Sequence, residues 1–381
     1  REPPPASVAG RLWRAAKRVL IGAPIATAQQ GHERLSKRKA LPVFASDALS
    51  SVAFATEAAL LALLAGGVAA LPFVLPISVV ITLILAVVTV SYRQTLFAYP
   101  SGGGSYIVSK ENLGTTLGLV AGGALLVDYV LVVAVGVSAG VSAITSAFPA
   151  LHPFQVPLCL LYLLVITLLN LRGVGEAATI FAIPVYAFVA AMLLLVATGL
   201  VRLALGGLEP VPPSPEALEA LQAPAVPITL FLILGALAQG CSALTGVEAV
   251  SNGVPAFKAP ESTNAATTLV WMSVLLGVMF VGATYLATVL QVVPDPHHGE
   301  TVLSKVGGAV FGRGVAYQFL QWSTFLILGL SANTAYNYSS PCCFRRRRMW
   351  HSCAMRWCRR RQRDQAKTSV ADGGGRTVAH R

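Results

Sequence analysis

Charge is what this chain has least of. Only 12% of its 381 residues are Asp, Glu, Lys or Arg, about half the share usual in soluble domains, while 55% are hydrophobic. A soluble enzyme is therefore excluded. Cations are scarcest in the middle: residues 41–337 hold seven Lys/Arg against twelve acids, whereas residues 1–40 hold nine against two and residues 338–381 twelve against two. The formal net charge of +12 thus belongs to the two ends, and the body offers no basic face for nucleic acid. Cysteine is sparse in the body too. Cys159 and Cys241 stand alone there, and Cys342, Cys343, Cys353 and Cys358 crowd the tail, so no disulfide framework is implied.

What fills the space is apolar sequence of bilayer length, about 20 residues at a time. Spans are expected near 42–68, 73–92, 116–146, 155–171, 177–203, 228–254, 265–291 and 314–336. A short apolar run from Val19 to Ala28 is too brief for a signal peptide, and Arg34, Lys37, Arg38 and Lys39 follow it directly. Those bases place the N-terminus in the cytoplasm by the positive-inside rule. Loops on that side then carry Arg93, Lys110, Arg172 and Lys258, while the opposite loops at 69–72 and 147–154 have no Lys or Arg. Glu209, Glu216 and Glu219 also fall outside; Arg202, Lys305 and Arg313 dissent.

Several spans carry polar groups that lipid does not tolerate. LPVFASDALSSVAFATE, from Leu41, contains Asp47, Ser50, Ser51 and Glu57. An ionised Asp at a helix centre costs roughly 2.5–3.5 kcal/mol on insertion scales, so it persists facing a bundle interior, a partner or a transported ion. Span six, LGALAQGCSALTGVEAVSNGV, is punctuated by Gly240, Gly246 and Gly253 and carries Ser242, Thr245, Glu248 and Asn252. Two interrupted spans, five apart, predict an inverted-repeat secondary transporter with its substrate near the midplane. Span three adds Asp128 and Tyr129. Asp47, Asp128 and Glu248 have no Lys or Arg within their spans, an excess of negative charge that asks for a cation or for protons.

LSKRKALPVFASDALSSVAFATE, YPSGGGSYIVSKENLG, VDYVLVVAVGVSAG, NLRGVGEAATIFAIPVYAF, TGVEAVSNGVPAFK, ETVLSKVGG and LSANTAYN together resemble the amino acid-polyamine-organocation (APC) superfamily, and within it the bacterial potassium-proton symporters. The resemblance runs from about Gly22 to Asn337. It implies an all-α membrane protein with an inverted five-plus-five helix repeat, here incomplete with about eight transmembrane helices: a basic N-terminus at 1–40, the first repeat at 41–203, an outer loop at 204–227 and three helices of the second repeat at 228–337. It implies potassium import with proton symport across the plasma membrane, with ion ligands at Asp47, Asp128, Thr245 and Glu248 and no cofactor. Ser50, Ser51, Phe54, Tyr129, Asn252, Ser323 and Thr324 are candidate pathway residues, with Asn333 beyond them. Two positions depart from the pattern: Phe54 replaces a tyrosine and Val132 a hydroxyl residue. An amino acid or polyamine permease is the alternative, disfavoured because Asp47 would repel a substrate carboxylate. The lipid bilayer and a small substrate are the expected partners, with a homodimer as a family implication and no nucleic acid.

Other patterns have plainer readings. Gly136-Val137-Ser138-Ala139-Gly140 fits a hydrolase motif but lies inside a span, where close helix packing explains it, as at Gly118 and Gly122. Ser101-Gly102-Gly103-Gly104-Ser105 reads as a hinged cytoplasmic loop rather than a phosphate cradle. His297 and His298 beside Asp295 read as a solvated loop. Ser323 and Thr324 fit helix-helix hydrogen bonding as well as an ion pathway. From Asn337 onward the text turns Arg- and Cys-rich without apolar periodicity, which is expected of a slipped reading frame over residues 338–381. A lipid-binding polybasic tail and an irregular Cys/His zinc knuckle are the weaker readings, and a non-transporting fragment is the functional alternative from another class.

Overall fold

A computed structural model describes residues 36–102, 104–171, 178–296, 299–332 and 335. The basic N-terminus before Ser36, Gly103, Arg172, His297, His298, Asn333 and the tail from Tyr336 lie outside the described residues. Within them the chain is all α, as expected, with no strand. Seven helices are long and apolar enough to cross a bilayer. An eighth helix occupies 315–332 and carries Gln318 and Gln321 among its apolar residues; with it the described residues hold about the eight spans expected.

The elements are α1 (Lys37–Ser50) and α2 (Val52–Leu64), then α3 (Val74–Ala98), α4 (Gly104–Leu113), α5 (Thr115–Ala147), α6 (Gln155–Leu171) and α7 (Ala178–Ala204). After them come α8 (Pro215–Gln222), α9 (Leu230–Gly240), α10 (Ala249–Asn252), α11 (Glu261–Val289), α12 (Val302–Phe311) and α13 at 315–332. Three of the connections expected to be loops contain helix. Ser105 to Leu113 forms most of α4, which lies on α5 because Gly118 and Gly122 leave room for the Lys110 stem and the Tyr106 ring. The stretch 204–227 contains α8, capped by the Ser214 hydroxyl on Ala217 N. The connection before span eight contains α12, capped by Thr301 on Ser304 N.

α11 is the centre of the bundle, packed on α3, α1 and α7. Leu269, Met272 and Leu276 of α11 and Phe188, Met192 and Leu195 of α7 are all buried. Between apolar helices in lipid, hydroxyl pairs add direction to packing: Thr56 meets Thr284 at 2.8 Å and Thr89 meets Ser273 at 2.7 Å. α5 and α6 turn Val127, Val130, Leu131, Leu160, Leu161 and Leu164 outward, as a lipid-facing surface should. Gly136 and Gly140 let α5 approach Leu328 of α13, so the G-x-S-x-G stretch is a packing seam.

At the end of the bundle beside α12, every basic residue that broke the charge bias is tied down. Lys305 Nζ donates to Asp295 Oδ1 at 2.6 Å and to Val293 O at 2.8 Å. Asp295 also accepts from Ser214 Oγ at 2.5 Å and Glu300 N at 2.9 Å. Burial works against its charge, but those donors and the Lys305 ammonium hold its carboxyl below the ordinary range. Arg313 forks onto Glu300 at 2.8 and 3.0 Å, and Arg202 donates to Ala309 O, Val310 O and Gly207 O. Glu57 accepts from Val302 N at 3.1 Å, fixing the start of α12 to α2.

Removing one partner of a buried pair strands the other charge, which costs about 3–5 kcal/mol. Lys305→Met is expected to lower the thermal unfolding temperature of the detergent-purified protein clearly, and Arg313→Met at the exposed pair hardly at all. Because the folded Asp295 carboxyl sits below its ordinary value, its contribution is complete at neutral pH and fades only below about pH 3.9. An unfolding temperature indifferent to Lys305→Met would contradict the assignment.

Candidate functional site

The two interrupted spans are interrupted to different degrees. Span one was expected to break in the middle. Instead Ser51 keeps helical backbone angles, φ −64° and ψ −21°, and the helix is only jogged. Span six unwinds fully. α9 ends at Gly240, Cys241–Leu244 tightens into a 3-10 turn, Thr245 is extended with ψ 146°, and Gly246 takes φ +77° before α10 begins. The left-handed angle at Gly246 is the step an L-residue with a Cβ resists.

Asp47 faces this unwound turn. A Cβ on Gly246 would stand 2.7 Å from Asp47 Oδ2 and 2.7 Å from Ala48 N, so the carboxylate lies against bare glycine backbone. Asp47 is 5% exposed, and its Oδ1 accepts from Ser331 Oγ of α13 at 2.6 Å. Ser50 Oγ donates to Asp47 O at 2.8 Å. Ser51 Oγ lies 2.6 Å from Ala48 O and 3.0 Å from Ala243 O, sharing its one proton across the crossing of spans one and six. Thr245 Oγ1 donates to Ser242 O at 3.0 Å, which spends its proton and leaves its lone pairs free. Ser242 Oγ is buried without a hydrogen-bond partner.

Glu248 is arranged quite differently. Its Oε2 accepts from Ser105 Oγ at 3.0 Å and Tyr92 OH at 3.4 Å. Its Oε1 accepts from Asn252 Nδ2 at 3.3 Å and Tyr129 OH at 3.4 Å. Four donors, from α3, α4, α5 and α10, occupy what a carboxylate can accept. Gly104, with φ +47°, permits this: a Cβ there would meet Asn252 Oδ1 at 2.5 Å, so any side chain would push α4 away. Asp128 has none of this support. It is half-buried, and no hydrogen bond from a described residue reaches its carboxylate, although its charge acts on both Asp47 and Glu248. Among the described residues no Lys or Arg pairs with any of the three acids.

Of the residues expected from sequence, Asp47, Asp128, Thr245, Glu248, Ser50, Ser51, Tyr129 and Asn252 thus gather around the crossing; Phe54 is half-buried on α2, and no described contact ties its ring to them. Ser323 and Thr324 do not bond into it. Both hydroxyls return to Leu320 O of their own helix, at 2.9 and 2.7 Å. Ser331 reaches Asp47 instead, and sequence reasoning passed it over although it lies seven residues, about two turns, beyond Thr324 on the same face. Tyr92 and Ser105 were also missed, and Ser242 was noted only as a polar residue of the interruption. Nothing in the local pattern of Tyr92 or Ser105 marks them, since each reaches Glu248 only through a chain crossing.

A family model described as amino acid permease matches residues 35–341. The chain belongs to the amino acid permease family. The potassium transporter KimA of Bacillus subtilis (strain 168) is 50% identical to it over 326 residues, 86% of this chain and 53% of that protein. The chain therefore spans about half the length of this curated relative. Permease membership agrees with a helical, APC-type membrane architecture.

Gly246→Ala adds a strained angle and a clash with Asp47 together, and should destabilise by about 1–3 kcal/mol. Gly308→Ala, on an open face of α12 where a Cβ meets nothing within 4 Å, should leave stability unchanged or raise it. Thermal unfolding of the two variants side by side checks the contrast. Equal behaviour would mean that span six does not turn on Gly246.

Proposed function

We propose that this chain forms the ion-binding part of a secondary transporter that imports a cation, potassium, together with a proton. The observation that carries the reading is Asp128: a carboxylate at bilayer depth, close in charge to two others, without a hydrogen-bond donor or a cationic partner among the described residues. Such a group is stable when protonated or when it holds a cation. Potassium takes several oxygens at once. Asp128, Asp47 Oδ2, Thr245 Oγ1 and Ser242 Oγ are the oxygens with lone pairs to give, while Glu248 is already filled by four donors and serves as a clasp on α4. One of the acids, Asp47 or Asp128, takes up and gives back the co-transported proton.

Several features support this reading. The relative at 50% identity is described as a potassium transporter. Spans one and six meet at their interruptions, and spans two and seven pack on each other as α3 and α11, the pairing that two inverted five-helix repeats produce. Lys305 and Arg313, which disturbed the positive-inside pattern, are paired with Asp295 and Glu300, and Arg202 is held by carbonyls, so the remaining bias favours a cytoplasmic N-terminus. Amino acid transport is the second reading, favoured by the description of the family. It requires a substrate carboxylate beside Asp47, and like charges there repel.

In proteoliposomes, Asp128→Asn is expected to abolish potassium uptake while leaving membrane insertion and thermal stability near wild type, because no protein contact is lost. Growth of a potassium-starved, import-deficient host carrying the same variants gives an independent measure. Undiminished uptake by the variant removes Asp128 from the site; uptake of a labelled amino acid without potassium favours the second reading.

A further inference from the structure

Gln321 stands on α13 with 0% of its surface exposed, yet neither Oε1 nor Nε2 has a hydrogen-bond partner. Gln318, one turn earlier, also keeps a buried Oε1 without one. An amide buried in an apolar bundle with all its polar atoms idle is strongly unfavourable, and such groups in native proteins are met by water or a ligand.

The surroundings say which. Tyr317, Gln321, Thr324, Leu328 and Ser331 follow one another at spacings of four, three, four and three. They form a single stripe of α13, and all five are buried. At one end of the stripe Tyr317 OH meets Ser304 Oγ at 2.6 Å and donates to Ser146 O at 3.2 Å, in the polar network beside α12. At the other, Ser331 holds Asp47. Gln321 lies ten residues from Ser331, about 15 Å along the helix. Leu328 is the one apolar member, and its side chain packs towards Gly140.

A carboxamide presents one acceptor oxygen and two N–H donors at one place. A bare potassium ion would satisfy the oxygen and face the NH2 group with like polarity. A carboxylate would do the reverse. Water answers both, donating to Oε1 and accepting from Nε2, and it asks only for two or more polar partners, which Gln318 and Gln321 supply.

We infer that Gln321, with Gln318, is a buried water-binding station on α13, lying between the α12 network and Asp47 and serving the proton's approach to Asp47. The water site stands on the geometry of α13 alone; its role in proton delivery rests on the proposed function.

A short X-ray pulse makes hydroxyl radicals from water in place, and they oxidise the side chains that touch it; mass spectrometry then reads the label. Tyr317, one turn from Gln321 and 1% exposed, is the reporter. Phe188, 0% exposed in an apolar part of the core, is the dry control. Wild-type protein in lipid should label Tyr317 and not Phe188. Gln321→Leu should lose that label and lower the unfolding temperature, whereas Gln321→Glu, which when neutral keeps a donor and an acceptor in the same shape, should retain both. The inference is overturned if wild-type Tyr317 is no more labelled than Phe188, or if Gln321→Leu keeps the label or gains heat stability. Proteoliposomes separate the two levels. If the wild-type protein moves no potassium, the proposed function fails and the label still decides the water site. If potassium moves but Gln321→Leu leaves proton uptake at the wild-type rate, the role in proton delivery is overturned.

Discussion

Negative charge inside a low-dielectric bundle must be answered by hydrogen-bond donors, by protons or by cations, and the three acids of this chain are answered in three different ways. Glu248 receives four donors from four elements. Asp47 receives one, from Ser331, and rests its second oxygen on Gly246. Asp128 receives none from the described residues. Beside Asp47, Thr245 points its proton back at Ser242 O and keeps acceptor lone pairs open, an arrangement that would suit a positive guest better than an anionic one.

Cations are handled in the opposite way. Lys305, Arg202 and Arg313 all lie at the α12 end, and each is bound to carboxylates or helix carbonyls. Lys305 is buried against Asp295, and Arg202 closes the last carbonyls of α12, where the helix dipole favours positive charge. None is left to reach the interior acids. The same contacts join α12 to α2 through Glu57, to the 204–227 connection through Ser214 and to α5 through Ser146. The charges that looked like exceptions to membrane topology are in fact the fasteners of one structural unit.

Much of this was legible in the order of residues. Apolar runs of bilayer length located the spans to within a few residues, because lipid forces every spanning segment to satisfy its backbone internally as helix. Acids without counter-ions flagged Asp47, Asp128 and Glu248 for a comparable reason, since their cost in lipid is a property of the residue itself. Short helices inside the connections were less visible: α4 and α8 are mixed in polarity and α12, though apolar, is only ten residues long, too short to cross a bilayer. Ser331, Ser105 and Tyr92 could not be singled out from Ser323 or Thr324 by pattern alone. Whether a hydroxyl returns to its own helix or crosses to another depends on which chain stands opposite.

The unequal breaks in spans one and six follow from the same backbone constraint. Unwinding a helix in lipid frees carbonyls and N–H groups that must find partners. Span six has them: Thr245 Oγ1 and Thr245 N both reach Ser242 O, and Ser51 Oγ of span one covers Ala243 O. In span one Ser50 Oγ bonds Asp47 O of its own helix, and Ser51 Oγ is shared between Ala48 O of its own helix and Ala243 O of span six. Had both spans opened fully, Ser51 would be needed at Ala48 O and Ala243 O independently, and one carbonyl would remain bare beside Asp47. One jog and one true break fit the available hydroxyls, and they bring Asp47 against Gly246, the glycine of span six that takes a left-handed angle.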